Sequence, residues 1–223
     1  MSIPKVTVSL SPVHTNPSIV AVVRTVNLAF SSDPLIQWLR PNATPWSEHD
    51  PSAWKWQYRR VQTIMSRGQV LQSESVGQMA QVFQKKSSTS KDKAAPEKGS
   101  RIPVSQDLDI TSSDAGAVRV NKLIAANKAS ADGLQKQYSK RELWYLEVIA
   151  VHPALQSRGL GGGVMRWILE HVGNQPIYLE CTRRDNVSFY EAFGFQIVEE
   201  VELVDDDDGE KLAYWVMVRS QDP

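Results

Sequence analysis

The chain begins on a period-two alternation, Lys5, Val6, Thr7, Val8, Ser9 and Leu10, which is the pattern of a half-buried strand. Asn16 and Pro17 follow as expected N-cap and first helical residue. Ile19, Val22, Val23, Val26 and Phe30 then fall on one side of a helical projection, so this helix should bury a single stripe and end at Ser31, Ser32, Asp33 and Pro34. Asp50 and Pro51 start a second helix with Trp54, Tyr58, Val61 and Met65 toward the core and Arg59 and Arg60 facing away; Gly68 closes it. Gln69 to Ser73 and Val76 to Phe83 are expected to pair as a hairpin.

From Gln84 to Gly116 the pattern dissolves into Ser, Lys, Asp, Pro and Gly. So little apolar surface cannot offset the entropy of ordering, and a mobile polar insert is expected at about 84–116, a solvated spacer or a phosphorylated or partner-binding segment. Val118 to Lys140 reads as a helix interrupted near Asp132 and Gly133. Leu143 to Val151 is a nearly continuous apolar run, the mark of a central strand buried on both faces. A helix carrying Val164, Met165, Ile168, Leu169 and Val172 follows, then a strand at Ile177 to Thr182, a short helix at Ser188 to Phe193, and a closing hairpin of Phe195 to Val204 with Leu212 to Val218. That order describes a mixed sheet flanked by helices, in one α/β (α+β) domain over residues 1–223.

Composition narrows the function classes. The 25 Lys and Arg balance 25 Asp and Glu, so no overall field draws nucleic acid or anionic lipid. The single cysteine, Cys181, makes neither an internal disulfide nor a cysteine-based zinc site, and it reads as a small buried hydrophobe. His14, His49, His152 and His171 show no ligand spacing, so no metal is expected. With no apolar stretch long enough to cross a bilayer and no signal-peptide layout, a soluble protein of the cytoplasm is expected, with the nucleus left open.

The chemistry concentrates in Gln156, Ser157, Arg158, Gly159, Leu160, Gly161, Gly162 and Gly163, between the central strand and a helix. Glycines there let successive N–H groups converge, and the helix dipole adds positive potential, which suits a pyrophosphate. A P-loop would need Gly-Lys-Ser/Thr, whereas Val164 and Met165 follow the glycines. A dinucleotide fold would take Glu180 as its acidic partner, yet one strand–helix–strand unit is too few for a doubly wound sheet.

Gln-x-x-Gly-x-Gly after the strand Val148 to Pro153 resembles the acyl-CoA signature of the GNAT superfamily of N-acetyltransferases. Asn186, Val187, Ser188, Phe189 and Tyr190, followed by Phe193, Gly194 and Phe195, resemble its Asn-x-x-x-Tyr…Gly-Phe segment. The extra helical glycines Gly162 and Gly163 and the long polar insert depart from the family pattern. The resemblance implies a mostly antiparallel mixed sheet with the acyl-CoA site at splayed central strands. Amides of Gln156, Ser157, Arg158, Gly159, Leu160, Gly161 and Gly162 would hold the pyrophosphate of acetyl-CoA. Ile149, Ala150 and Val151 would pair with the pantetheine arm, Asn186 would reach the cofactor, and Tyr190 would protonate the leaving sulfur. No metal is implied.

Glu147 is the one carboxylate inside the central strand, expected either to line the cleft as base or to pair with Arg141, Arg183 or Arg184. Trp56 cannot share Trp54's face and is expected near an acceptor pocket, while Asp205 to Asp208 read as a solvated hairpin tip or an attractor of a cationic amine. The implied activity is acetyl transfer from acetyl-CoA to a primary amine, on a small molecule or a peptide, by a monomer or homodimer that binds neither nucleic acid nor membrane. Two alternatives stand beside it: an acyl-CoA-binding regulatory module, and a protein lysine or N-terminal acetyltransferase.

Overall fold

The computed structural model describes residues 6–39, 51–67, 69–73, 78–85 and 115–220. The insert expected at 84–116 lies almost wholly outside them, as do Lys5 and Asp50. Seven strands form one sheet in the order β1-β2-β3-β4-β5-β7-β6: β1 (Leu10–Pro12), β2 (Gln69–Ser73), β3 (Gln78–Lys85), β4 (Leu143–Val151), β5 (Ile177–Cys181), β6 (Gln196–Val204) and β7 (Lys211–Arg219). β4 and β5 run parallel; every other neighbouring pair is antiparallel. The expected mixed, mostly antiparallel sheet is thus present. The first strand is shorter than the alternation from Lys5 suggested, because only Leu10 to Pro12 find partners on β2.

Three apolar layers hold helices to this sheet. On one face, α1 (Asn16–Ala29) and α3 (Pro51–Arg67) pack Val22, Val23, Val26, Val61 and Ile64 against Val70, Val148 and Ala150. On the same face, α2 (Pro34–Leu39) and α4 (Ala115–Gln137) cover Leu143, Tyr178, Tyr214 and Val216. The opposite face is covered by α5 (Leu160–Val172), whose Val164, Met165 and Ile168 meet Leu146, Ile177, Leu179 and Met217. α6 (Val187–Glu191) follows β5. Among the described residues no helix is long and apolar enough to cross a membrane.

Several local expectations need correction. Thr15, in extended backbone, is the N-cap of α1, its hydroxyl accepting from the Ser18 N–H; Asn16 is already helical. Asp33 and Pro34 begin α2, which the sequence reading had as the end of α1: Oδ1 of Asp33 accepts from the N–H groups of Leu35 (3.0 Å) and Ile36 (3.4 Å). α4 runs unbroken through Asp132 and Gly133, where the glycine faces open space and its helix penalty of about 1 kcal/mol is borne by the packed stripe.

The tip Asp205 to Asp208 is no purely solvated turn. Arg119 of α4 is fully buried and binds Asp205, Asp208 (2.6 Å), Glu210 (2.9 Å) and the Trp38 carbonyl (2.6 Å) while lying over the Trp38 ring. A buried guanidinium requires such a set of acceptors. The network pins α4 and α2 to the β6–β7 hairpin.

Candidate functional site

β4 and β5 pair only through Trp144–Ile177 and Tyr145–Tyr178, and then separate. β4 keeps β3 on its other side as far as Val151, so the opening lies between β4 and β5 alone. The β3–β4 register steps from Gln81–Val148 to Val82–Leu146, which leaves Glu147 without an opposite residue. That bulge is how a carboxylate comes to sit inside an otherwise apolar strand.

A cavity of about 540 Å³ passes through the opening. Leu146, Ile149, Leu179 and Cys181 line it from the α5 side of the sheet, and Tyr145, Glu147, Val148, Tyr178 and Glu180 from the other. Asn186 and Tyr190 also reach it, as do Trp56 and Arg60 of α3. The structure therefore brings together Glu147, Ile149, Asn186 and Tyr190 at one cavity.

Among the described residues the cation found against Glu147 is Arg60, where Arg141, Arg183 or Arg184 was expected. Arg60 Nε lies 3.6 Å from its Oε1. Arg141 bonds the Asn174 carbonyl, Arg183 pairs with Asp185, and Arg184 covers the Trp215 ring. The expectation that Arg59 and Arg60 face away from the core is also corrected: both line the cavity, and Arg60 reaches Glu147 there.

Glu180, considered in the sequence only as the acidic partner of a dinucleotide fold, lines this cavity. It sits on β5 beside Glu147's face of the sheet, and the Tyr145 hydroxyl donates to it. Burial and, secondarily, the Glu147 charge push its carboxyl up to about 7. Tyr145 and Tyr178 stack at 4.7 Å, both held protonated far up the scale by burial and then by Glu180. The one available signal was a lone Glu in the apolar run Ile177 to Cys181. Asp33, also raised by burial, accepts from the Thr182 hydroxyl at 2.6 Å.

Tyr190 packs edge-on against Phe189 and Phe195, and burial raises its hydroxyl well above the ordinary range, with Cys181 and Asp33 adding to the shift. It is at once a member of the aromatic cluster and a wall of the cavity. Cys181 is buried, its thiol donating to the Arg183 carbonyl.

The glycine segment is built as a helix entrance. His152 Nδ1 accepts from the Ala154 N–H (3.3 Å), opening the single turn Pro153–Leu155. Ser157 (φ 60°) and Gly159 (φ 76°) take left-handed backbone, the latter as N-cap of α5. Because a glycine caps nothing with a side chain, the first N–H groups of α5, Leu160 to Gly162, receive no capping oxygen from it. Gln156 turns back and its Nε2 donates to the Val151 carbonyl at 3.0 Å. Gly163 is demanded by packing: a Cβ there would stand 2.6 Å from Val8 Cγ2 and 2.9 Å from the Val6 carbonyl. Ala150, Val151 and the glycine segment are not among the residues that line the cavity; Gly161 lies instead against α6 and the end of β4, where a Cβ would touch the Phe189 ring at 3.8 Å and Val151 at 3.9 Å.

Residues 117–197 match the family model of the acetyltransferase (GNAT) domain. Among solved structures, arylalkylamine N-acetyltransferase 2 from Aedes aegypti superposes with a TM-score of 0.62 at 12% identity, over 96% of this chain and 98% of that one. A structure described as histone acetyltransferase HPA2 and related acetyltransferase, from Corynebacterium glutamicum, gives 0.58 at 16% identity over 98% of each chain. The Drosophila melanogaster polyamine N-acetyltransferase, which forms N-acetylagmatine, gives 0.57 at 15% identity over 96% of this chain and 100% of that one. At these identities the likeness is one of fold.

Proposed function

We propose that this chain is an acetyltransferase of the GNAT superfamily, as the match of residues 117–197 to that domain supports, and that it transfers an acetyl group from acetyl-CoA to a primary amine by direct attack in a ternary complex. The observation that carries this reading is the cavity through the β4–β5 opening, with carboxylates on one side of the sheet, Asn186 and Tyr190 in its wall, and Phe189 of the Tyr190 helix lying against Gly161. The fold's relatives act on amines from arylalkylamines to agmatine, by their own descriptions.

The residues fit the cofactor that the family uses. The α5 entrance presents the N–H groups of Leu160, Gly161 and Gly162 with no side-chain cap, as a pyrophosphate requires. Gln156, Ser157, Arg158 and Gly159 lead into it, Ser157 and Gly159 turning the chain. Ile149, Ala150 and Val151 lie on the part of β4 that β5 has left, where a pantetheine arm can add as a strand; Gln156 already holds the Val151 carbonyl. Asn186 would meet the cofactor from the cavity wall.

An amine with a pKa of about 10.4 arrives at neutral pH as an ammonium ion, which cannot attack. Glu180, poised near 7 in the cavity wall, is suited to remove its proton, since a base works best when its pKa lies near the working pH. Glu147, with Arg60 Nε 3.6 Å from its Oε1, is suited to orienting the ammonium at the mouth of the opening. As the amine nitrogen bonds to the acyl carbon, negative charge grows on the carbonyl oxygen, and strand amides at Val148 to Ala150 would receive it. The C–S bond then breaks, and the Tyr190 hydroxyl, still protonated well above neutral pH, supplies a proton to the thiolate.

Acetyl-CoA at about 100 times its Kd should add about 2.7 kcal/mol to the folded state. For a chain of this length that raises the melting temperature by about 5–10 °C. An unchanged melt, with no heat of binding in a calorimetric titration, overturns the reading.

A further inference from the structure

We propose that the acceptor is a primary monoamine with an apolar body, an alkyl- or arylalkylamine, in preference to a diamine or a peptide N-terminus. This inference rests on the transferase reading above and assigns the cavity's second half, which that reading leaves unused.

The cavity is chemically divided along its length. At the β4–β5 opening the described lining residues include Asp33, Glu147 and Glu180 beside Arg59 and Arg60, three carboxylates to two guanidiniums. Two of the three are committed. Glu147 faces Arg60 at 3.6 Å, and Asp33 accepts from Thr182 and from the Leu35 and Ile36 amides that begin α2. Glu180, bonded by the neutral Tyr145 hydroxyl, is the place for one ammonium.

The far end is built from Leu35 and Leu39 of α2 and Val120, Leu123 and Ile124 of α4. Asn127 is the polar residue there, and its Oδ1 already accepts from the Tyr214 hydroxyl at 2.7 Å. Among the described lining residues of this end none is charged. A second ammonium placed there gives up its water without a partner, and a peptide brings amides that need hydrogen bonds. A hydrocarbon chain or ring meets neither cost and gains by burial. The wall is also preformed, because Arg119 fastens α4 to the Trp38 carbonyl of α2 and to Asp205, Asp208 and Glu210 of the hairpin. A fixed apolar wall does not reshape itself around a polar tail.

The test compares kcat/KM, by thiol release at saturating acetyl-CoA, for hexylamine and phenethylamine against hexamethylenediamine and a short peptide with a free N-terminus. The same panel is run on Ile124→Glu, which places a carboxylate at the apolar end on a side chain that is 38% exposed and so able to carry a charge. The wild type should favour the monoamines by about tenfold or more, and the variant should narrow the monoamine-to-diamine ratio by a similar factor. Release that is as fast or faster with the diamine or the peptide overturns the inference while leaving the transferase reading standing. A ratio unmoved by Ile124→Glu in a folded, acetyl-CoA-binding variant also overturns it. No release with any acceptor removes the transferase reading and this inference together.

Discussion

Replacing Glu180 by Gln separates its two consequences, on stability and on rate. In the folded chain this carboxyl titrates near 7, against an ordinary 4.5. The folded state therefore binds the proton more tightly than the unfolded one. The associated stability is fully present below 4.5 and is lost as the pH rises through 7. At about 1.4 kcal/mol per tenfold, the gap amounts to about 3 kcal/mol, which corresponds to a melting-temperature loss of about 6–12 °C between pH 4.5 and pH 8. Glu180→Gln carries no charge at either pH and should lack that part of the decline, so it should melt higher than the wild type at pH 8. Activity should move the opposite way. Loss of a general base costs about 10²–10⁴-fold, and the rising limb of kcat/KM near pH 7 should shift toward the amine's own pKa of about 10. Thermal melts at the two pH values and a pH–rate profile check both. A variant that keeps its limb near 7 with less than tenfold loss, or that melts with the wild type at pH 8, refutes the assignment.

Tyr190→Phe should lower turnover by about tenfold or more with little change in acetyl-CoA affinity, measured by single-turnover kinetics beside calorimetry; equal turnover returns Tyr190 to the aromatic cluster alone. Gly163→Ala should destabilise the fold by about 1–3 kcal/mol in urea titration, because its methyl group would stand 2.6 Å from Val8 Cγ2. Arg119→Leu should melt below the wild type, since it strips the buried Asp205 of its partner, while Lys128→Ala, which breaks an exposed pair with Asp132, should melt with it.

Much of the fold was legible because its signals are local. The stripe of Val22, Val23 and Val26 and the apolar run at Leu143 to Val151 each specify an element and its buried side, and the glycine segment announces the turn into α5. The electrostatics were not legible, because each partner lies far away in sequence. Arg60 and Glu147 meet through the packing of α3 on β4, and Arg119 meets Asp205 through the docking of α4 on the β6–β7 hairpin. Glu180 was read only as the acidic partner of a dinucleotide fold, since nothing local told that β4 and β5 would part beside it. The bulge at Glu147 depends likewise on β3 register. Gly163 looked like a helix-weakening departure until Val8 was seen against it.

Thiol release from acetyl-CoA in the presence of a primary amine tests the central claim most directly. The account predicts steady CoA production that depends on both substrates, rises through pH 7 and yields the N-acetylated amine. Binding of acetyl-CoA with no amine-dependent release across alkylamines, diamines and peptides would contradict it and leave the chain an acyl-CoA-binding module.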